Sequence, residues 1–95
     1  MDFYVSQIIH LPFARRIENF LPCRGDILPI EGDFKILFYL LEYRFGGSGS
    51  NFAIPDLRPF DTDRGAEGEP IRREWKADEI VPHICFSGLF PPPAR

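Results

Sequence analysis

The side chains most able to carry out chemistry are two histidines and two cysteines: His10, Cys23, His83 and Cys85. Structural zinc sites usually take their ligands as close pairs, two to four residues apart. His83 and Cys85 have one residue between them, and the sequence holds no second close pair. A zinc site is therefore a weaker interpretation than two buried thiols that pack as small hydrophobic groups.

The same residues leave two further alternatives open. A cysteine–histidine catalytic pair would need an orienting group and an oxyanion site, and neither can be recognised in the sequence. A disulfide between Cys23 and Cys85 would form only if the fold brought their Cα atoms within about 7 Å. We therefore predict no catalytic residue and no metal ligand, and we do not expect an enzyme.

The glycine-rich segment 46–51, with the sequence Gly-Gly-Ser-Gly-Ser-Asn, raises the question of phosphate binding. A phosphate-binding P-loop has a Lys and a Ser or Thr after its last Gly, with a strand before it and a helix after it. Here the helical segment comes before the glycines, and the loop has no Lys. We expect a flexible connector and no bound cofactor.

Two charged motifs allow other functions. Residues 58–70, a segment punctuated by Gly and Pro, contain four clustered acids: Asp61, Asp63, Glu67 and Glu69. Such a segment is a poor frame for paired catalytic carboxylates, so a solvated acidic loop is favoured over a weak calcium site. The tripeptide Arg24-Gly25-Asp26 is the one that integrins read, but a three-residue match in a turn arises easily by chance.

Composition narrows the function further. The 95 residues are enough for one domain, and a net charge of −3 argues against a nucleic-acid-binding protein, which would show a basic excess. No apolar run reaches the roughly 20 residues of a membrane span, and the N-terminus does not have the pattern of an ordinary signal peptide. Ten Phe, three Tyr and one Trp supply enough apolar surface for a core and for an interface.

Strand signals lie at both ends of the chain. Residues 3–13 and 80–90 are rich in β-favouring side chains, the second segment with a kink at Pro82. Residues 20–30 are predicted to form a hairpin that turns at Gly25, because glycine adopts positive φ at no steric cost. The three prolines that follow Phe90 predict a stiff, extended tail.

Residues 33–45 form the one predicted helix, beginning at Asp33, whose carboxylate can cap the first turn. Five residues of the predicted helix form a continuous apolar stripe along one face: Phe34, Leu37, Phe38, Leu41 and Phe45. Other apolar residues cover much of the remaining surface: Ile36, Tyr39, Leu40 and Tyr43. A helix this apolar is usually buried on more than one side, and a partner chain could supply the second covering surface.

The order of short motifs along the chain resembles the phage tail-collar family, which includes the so-called microcystin-dependent proteins. The shared motifs are Met1-Asp2-Phe3, Leu21-Pro22-Cys23-Arg24-Gly25, Leu28-Pro29-Ile30, Leu37-Phe38-Tyr39-Leu40-Leu41, Phe45-Gly46-Gly47, Phe52-Ala53-Ile54-Pro55-Asp56-Leu57-Arg58 and Gly88-Leu89-Phe90-Pro91. The chain departs from the family in two places. Arg24 replaces an Asp, and residues 58–79 form a shortened loop in place of an insertion that often carries a metal-binding His-x-His element. Metal binding is therefore not implied.

The resemblance implies a non-catalytic structural or adaptor component of a phage tail, a tail fibre or a tail-derived surface appendage. We predict an α+β fold, with short strands and hairpins around one apolar helix, as a single domain over residues 1–95. The expected partners are other protein chains, in a homo-oligomer or a larger appendage complex, on a virion tail or an extracellular surface.

Two sets of contact residues follow from this reading. The predicted protein interface comprises Phe3, Val5, Ile8, Tyr39, Tyr43, Ile84, Phe86, Leu89 and Phe90. The alternative function is a recognition module that binds a glycan or another cell-surface ligand through its loops. Its predicted residues are Gly46, Gly47, Ser48, Asn51 and Arg58.

Overall fold

A computed structural model describes residues 3–61 and 71–91. Within these residues the chain forms eight short strands and one helix. In chain order they are β1 (Ile8–Leu11), β2 (Phe20–Pro22), β3 (Ile27–Pro29), α1 (Phe34–Leu41), β4 (Gly47–Ser48), β5 (Asn51–Ala53), β6 (Phe60–Asp61), β7 (Ile71–Arg72) and β8 (Val81–Cys85). The described fold is mostly β with one helix, which agrees in outline with the predicted α+β class.

The main sheet has the strand order β1-β8-β2, and both pairings are antiparallel. Every residue of the central strand β8 is buried. The predicted kink at Pro82 is accommodated by its neighbours, although proline cannot donate to a β ladder. The Pro82 carbonyl accepts from the Cys23 N–H at 2.9 Å, and the Cys23 carbonyl accepts instead from the Leu57 N–H at 2.8 Å. Both carbonyls thus keep a hydrogen-bond partner.

The hairpin predicted for residues 20–30 is wrong. β2 pairs with β8, whereas β3 pairs with β5 in a second sheet of order β3-β5-β4. Gly25 does turn the chain, at φ +79°, but its N–H donates to the Pro55 carbonyl and the turn carries the chain from one sheet to the other. A local turn signal fixes a change of direction and does not choose the strand partner.

Helix α1 is shorter than the predicted 33–45. Asp33 is at the N-cap position, as predicted, but it has helical torsion angles and its carboxylate does not make the predicted capping hydrogen bond. The helix ends because Glu42 turns to φ +53° while its N–H still bonds to the Phe38 carbonyl at 2.7 Å. Turns then lead to Gly46, which begins the close approach to β5.

The core lies between α1 and the two sheets. From the helix, Leu37 and Leu41 are buried, and Phe38 packs on Phe52 of β5 with ring centroids 5.4 Å apart. From β8, Ile84 joins the same cluster. The helix is therefore buried on one side within the chain, and the expectation of burial on more than one side is not met by the described residues alone.

The remaining segments also differ from expectation. The predicted flexible connector 46–51 is a tight β4-β5 hairpin. The predicted loop 58–79 contains a paired two-stranded ribbon, β6 with β7. Three of the four clustered acids, Asp63, Glu67 and Glu69, lie outside the described residues, as do the last two prolines of the predicted tail.

Candidate assembly surface

The side of α1 that faces away from the core is apolar and exposed. Ile36 and Tyr39 are three residues apart in the helix, which places them on one face, and Tyr43, in the turns beyond Leu41, is also exposed. Tyr39 is 70% exposed, the highest value among the large apolar side chains that the structure describes. Large apolar side chains that are exposed together often mark a site of contact with another protein, so this face is a candidate contact surface.

The C-terminal segment extends this surface. The ring of Phe90 lies beside that of Tyr39, with centroids 5.7 Å apart. Leu89 is held next to Tyr4 by a parallel bridge, and its N–H donates to the Phe3 carbonyl at 2.8 Å. Contacts along the chain therefore join the helix face to both ends of the described chain.

We call this set the outer apolar face. It comprises Tyr4, Ile36, Tyr39, Tyr43, Leu89 and Phe90, whose exposed fractions range from 43% to 70%.

An open groove of about 640 Å³ adjoins the outer apolar face. It is lined by Ile30, Lys35, Phe38, Tyr39, Glu42 and Tyr43. Its wall is held in place, because the Tyr43 hydroxyl donates to the Gly49 carbonyl at 2.7 Å and the Tyr43 ring meets Phe38 edge to face at 5.1 Å. The groove gives the surface a fixed relief into which a partner side chain can pack.

Six of the nine predicted interface residues are accessible. Five are exposed: Ile8, Tyr39, Tyr43, Leu89 and Phe90. Phe3 is half-buried, with its ring edge to face on Phe20 at 5.1 Å. These six stay candidates for contact with another chain.

The other three predicted interface residues need correction. Val5, Ile84 and Phe86 are buried in the core of the chain and offer no surface to a partner. Ile84 belongs to the central strand β8, which is buried at every residue, and Val5 and Phe86 pack in the same core cluster just outside the strands. Sequence reasoning missed Tyr4 and Ile36, and each had a signal, since Tyr4 alternates with Val5 and Ile36 lies three residues before Tyr39.

The glycines of the predicted binding loop have a backbone role. At Gly47, φ is +93°, and a Cβ would stand 2.5 Å from the Phe52 Cα. At Gly46, φ is +127°. Ser48 pairs with Asn51 across the hairpin. This loop is exposed but tightly built, and its glycines let the chain after α1 approach β5 closely.

Arg58, the last predicted loop residue, is engaged within the chain. Its guanidinium makes a two-point contact with Asp56, at 3.0 and 2.8 Å, and a third contact with Glu74 at 3.0 Å. Hydrogen bonds from Arg58 hold the pKa of Asp56 below its ordinary value. Glu74 also pairs with Arg24 at 3.2 Å, and the Arg24 guanidinium lies over the Trp75 ring. Arg24 of the integrin-like tripeptide is thus committed to an internal ion cluster.

The histidines and cysteines form no chemical centre in the described residues. His83 is fully buried, with its Nδ1 3.0 Å from the Val81 carbonyl and its Nε2 3.1 Å from the Arg15 carbonyl. Both cysteines are free and buried. Burial, and secondarily the charge of Asp56, raises the pKa of Cys23 to about 12, and burial raises the pKa of Cys85.

Those raised pKa values keep both thiols protonated and therefore poorly nucleophilic. Across residues 3–61 and 71–91, no three His, Cys, Asp or Glu side chains are grouped as they would be to hold a metal ion. The described part of the chain also contains no helix long and apolar enough to cross a membrane. The features of the described residues that bear on function are therefore the outer apolar face and the groove beside it.

Comparison with known proteins gives one match. The sequence profile of the phage tail collar domain matches residues 6–59, which is 54 of the 95 residues. No curated protein and no solved structure matches the chain. The matched stretch includes α1, the β4-β5 hairpin and the Arg24–Asp56 bridge, so it contains much of the scaffold that carries the outer apolar face.

Proposed function

The chain belongs to the phage tail collar domain family, and we propose that it is a non-catalytic structural or adaptor component that works by assembling with other protein chains. Its place would be a phage tail, a tail fibre or a tail-derived surface appendage, on the virion or another extracellular surface. We infer that residues 1–95 form a single domain. We infer that the shortened connection 58–79 keeps the assembly scaffold without a receptor-reading insertion.

The outer apolar face carries this proposal. The Tyr39–Phe90 ring contact and the Tyr4–Leu89 backbone bridge join the helix to both ends of the described chain, and all six large side chains of the face are solvent-exposed. Aromatic residues are enriched at protein interfaces, where each removes a large apolar area from water. A partner chain packed on this face would also bury a second side of α1, as is usual for a helix this apolar.

The partner we favour is another copy of this chain, within a homo-oligomer or a larger appendage complex. A domain of this size buries only a modest fraction of its surface, and oligomerisation is one of the usual ways in which such domains gain stability. The six side chains of the face are uncharged, and the charged groups beside it are Lys35 and Glu42 of the adjoining groove. These two side chains have opposite charges, so contact between identical copies can place Lys35 of one copy near Glu42 of the other.

The alternative, ligand recognition through the loops, receives less support. Arg58 is occupied by Asp56 and Glu74, and the glycines of the β4-β5 hairpin serve close backbone packing. Specific binding of the purified chain on a glycan array would revive this alternative.

Substitution on the face tests the proposal. We expect Tyr39→Ala to weaken self-association by at least about tenfold in Kd, because it removes the most exposed aromatic anchor. Ile27→Ala is the matched control, since Ile27 is 59% exposed but lies on β3, outside the face. Light scattering after size exclusion gives the mass of each variant. An equal effect of both substitutions, or none from Tyr39→Ala, would count against the outer apolar face.

A further inference from the structure

Strand β1 has a free edge. It pairs on one side with β8, and in the described residues no strand lies on its other side. An unpaired edge presents backbone N–H and C=O groups in a row, which is the surface that another β-strand recognises.

The hydrogen bonds of β8 decide which groups of β1 face outward. The Cys85 N–H donates to the Gln7 carbonyl at 2.9 Å and the Cys85 carbonyl accepts from the Ser6 N–H at 2.8 Å, so Cys85 directs its backbone groups toward the β1 side of β8. Bonded and non-bonded pairs alternate along antiparallel strands. Ile9 and Leu11, opposite His83 and Val81, therefore direct their N–H and C=O groups toward β8.

The two residues between them do the opposite. Ile8 and His10 occupy the non-bonded positions, and the partner of His10 is Pro82, which has no N–H to offer. The N–H and C=O groups of Ile8 and of His10 thus point away from the sheet. The side chains of both residues are exposed as well, so neither the backbone nor the side chains of this edge are shielded.

The other edges of the two larger sheets are protected. Pro22 ends β2, and Pro29 ends β3, and a proline at an edge blocks the addition of a strand. β4 is only two residues long. Ile8–Leu11 has no charged residue, no proline and no glycine, so it lacks the features by which edge strands usually avoid pairing.

We propose that β1 pairs antiparallel with β1 of a second copy, about a twofold axis that passes beside Ile9. In this register Ile8 of each copy faces His10 of the other. Four backbone hydrogen bonds then form, because both the N–H and the C=O of each outward residue find a partner. The two main sheets become one continuous six-stranded sheet.

The composition of the edge favours a second copy as the partner, because Ile8–Leu11 holds no Asp, Glu, Lys or Arg and two identical strands therefore bring none of these charges together. A twofold rotation beside Ile9 brings Ile8 of each copy opposite His10 of the other. All four outward N–H and C=O groups of each strand then find partners without a shift in register. No charge is brought into the seam apart from any carried by His10. This inference rests on the proposed assembly role and assigns it a second surface, distinct from the outer apolar face.

Proline at position 10 tests the edge directly. His10→Pro removes an outward N–H that β8 does not use, whereas His10→Ala removes the imidazole and keeps that N–H. By symmetry the proline variant loses two of the four bonds, and we expect a rise of roughly tenfold or more in the dimer Kd relative to His10→Ala. Equal dissociation constants from sedimentation equilibrium would overturn the pairing.

Crosslinking supplies a readout that does not depend on the fold tolerating proline. In the proposed register the two Ile9 Cα atoms face each other at about 4.5 Å, inside the range of a disulfide. The two Ile8 Cα atoms are offset by two residues and lie beyond about 7 Å. Ile9→Cys should form a covalent dimer on mild oxidation, and Ile8→Cys should not. The reverse pattern, or monomer in both, refutes the register.

The two surfaces can fail separately. If Ile9→Cys crosslinks while Tyr39→Ala leaves association unchanged, the edge pairing stands and the outer apolar face does not. If Tyr39→Ala weakens association while neither Ile9→Cys nor Ile8→Cys forms a covalent dimer on oxidation, the assembly role stands and the β1 pairing is wrong.

Discussion

The β4-β5 hairpin offers a matched pair of substitutions that tests how this fold is built. Gly47 and Gly49 both have positive φ, +93° and +62°. A Cβ at Gly49 would meet nothing within 4 Å, whereas one at Gly47 would stand 2.5 Å from the Phe52 Cα and 2.7 Å from the Asn51 carbonyl oxygen. Alanine therefore meets a backbone cost at both sites, the greater one at Gly47, whose φ lies outside the left-handed helical region, and a steric cost at Gly47 alone.

The expected sizes follow from those distances. A non-glycine residue in the left-handed region costs roughly 1–2 kcal/mol, which is the loss of unfolding free energy expected for Gly49→Ala. Gly47→Ala adds a clash with backbone, which cannot rotate away, and we expect a total loss above about 3 kcal/mol. Since 1 kcal/mol shifts Tm by roughly 4–8 °C in a domain of this size, the two variants should be clearly separated.

Urea unfolding followed by far-ultraviolet circular dichroism measures both losses, with thermal unfolding as a check. The wild-type chain and Gly49→Ala give the reference for a backbone cost without a clash. Equal losses in the two variants would refute the close approach of Gly47 to β5.

Three further predictions concern the core and the charged residues. Leu37→Ala should cost about 2–5 kcal/mol of unfolding free energy, as expected for a fully buried leucine, while Ile36→Ala, its exposed neighbour, should cost under about 1 kcal/mol; urea unfolding of the pair checks both. The Cys23 thiol has its pKa raised above the ordinary 9.0 to about 12, so stability is fully present below pH 9 and falls as pH rises from there toward 12; Cys23→Ala should flatten that fall in urea midpoints, and an unchanged slope would contradict it. Glu74→Gln, which uncouples two arginines at a half-exposed site, should lower stability by less than about 1 kcal/mol, with a smaller effect in high salt.

Local patterns predicted the helix and its core face. The stripe from Phe34 to Leu41 lies where its spacing placed it, with Leu37 and Leu41 buried. The same pattern overestimated burial, because periodicity reports which positions are apolar and not which surfaces the chain has available to cover them. The excess is what now appears as the outer apolar face.

Strand partners could not be predicted in the same way. β2 reads as one arm of a hairpin at Gly25, yet it pairs with β8, some 60 residues later in the chain, where all its residues become buried. Pairing is decided by burial and by carbonyl partners such as Leu57 for Cys23, and these depend on the whole fold. Val5 and Ile84 were placed at the interface for the same reason, since an apolar strand end has the same sequence whether it faces the core or a partner.

Motifs were informative about the family and less so about the chemistry of single residues. The motifs from Leu21 through Arg58 lie within the matched collar region 6–59. Glu74 contacts both Arg24 and Arg58. That bridge spans residues far apart in sequence, so no local motif could indicate it.

Sedimentation equilibrium of the wild-type chain, over roughly 1–100 μM, measures whether the chain assembles with other copies of itself. If the chain acts through the surfaces it offers to other copies, the apparent mass should rise with concentration from 11.0 kDa to a fixed multiple of that value. A mass of 11.0 kDa at every concentration would contradict self-assembly through the outer apolar face and the β1 edge.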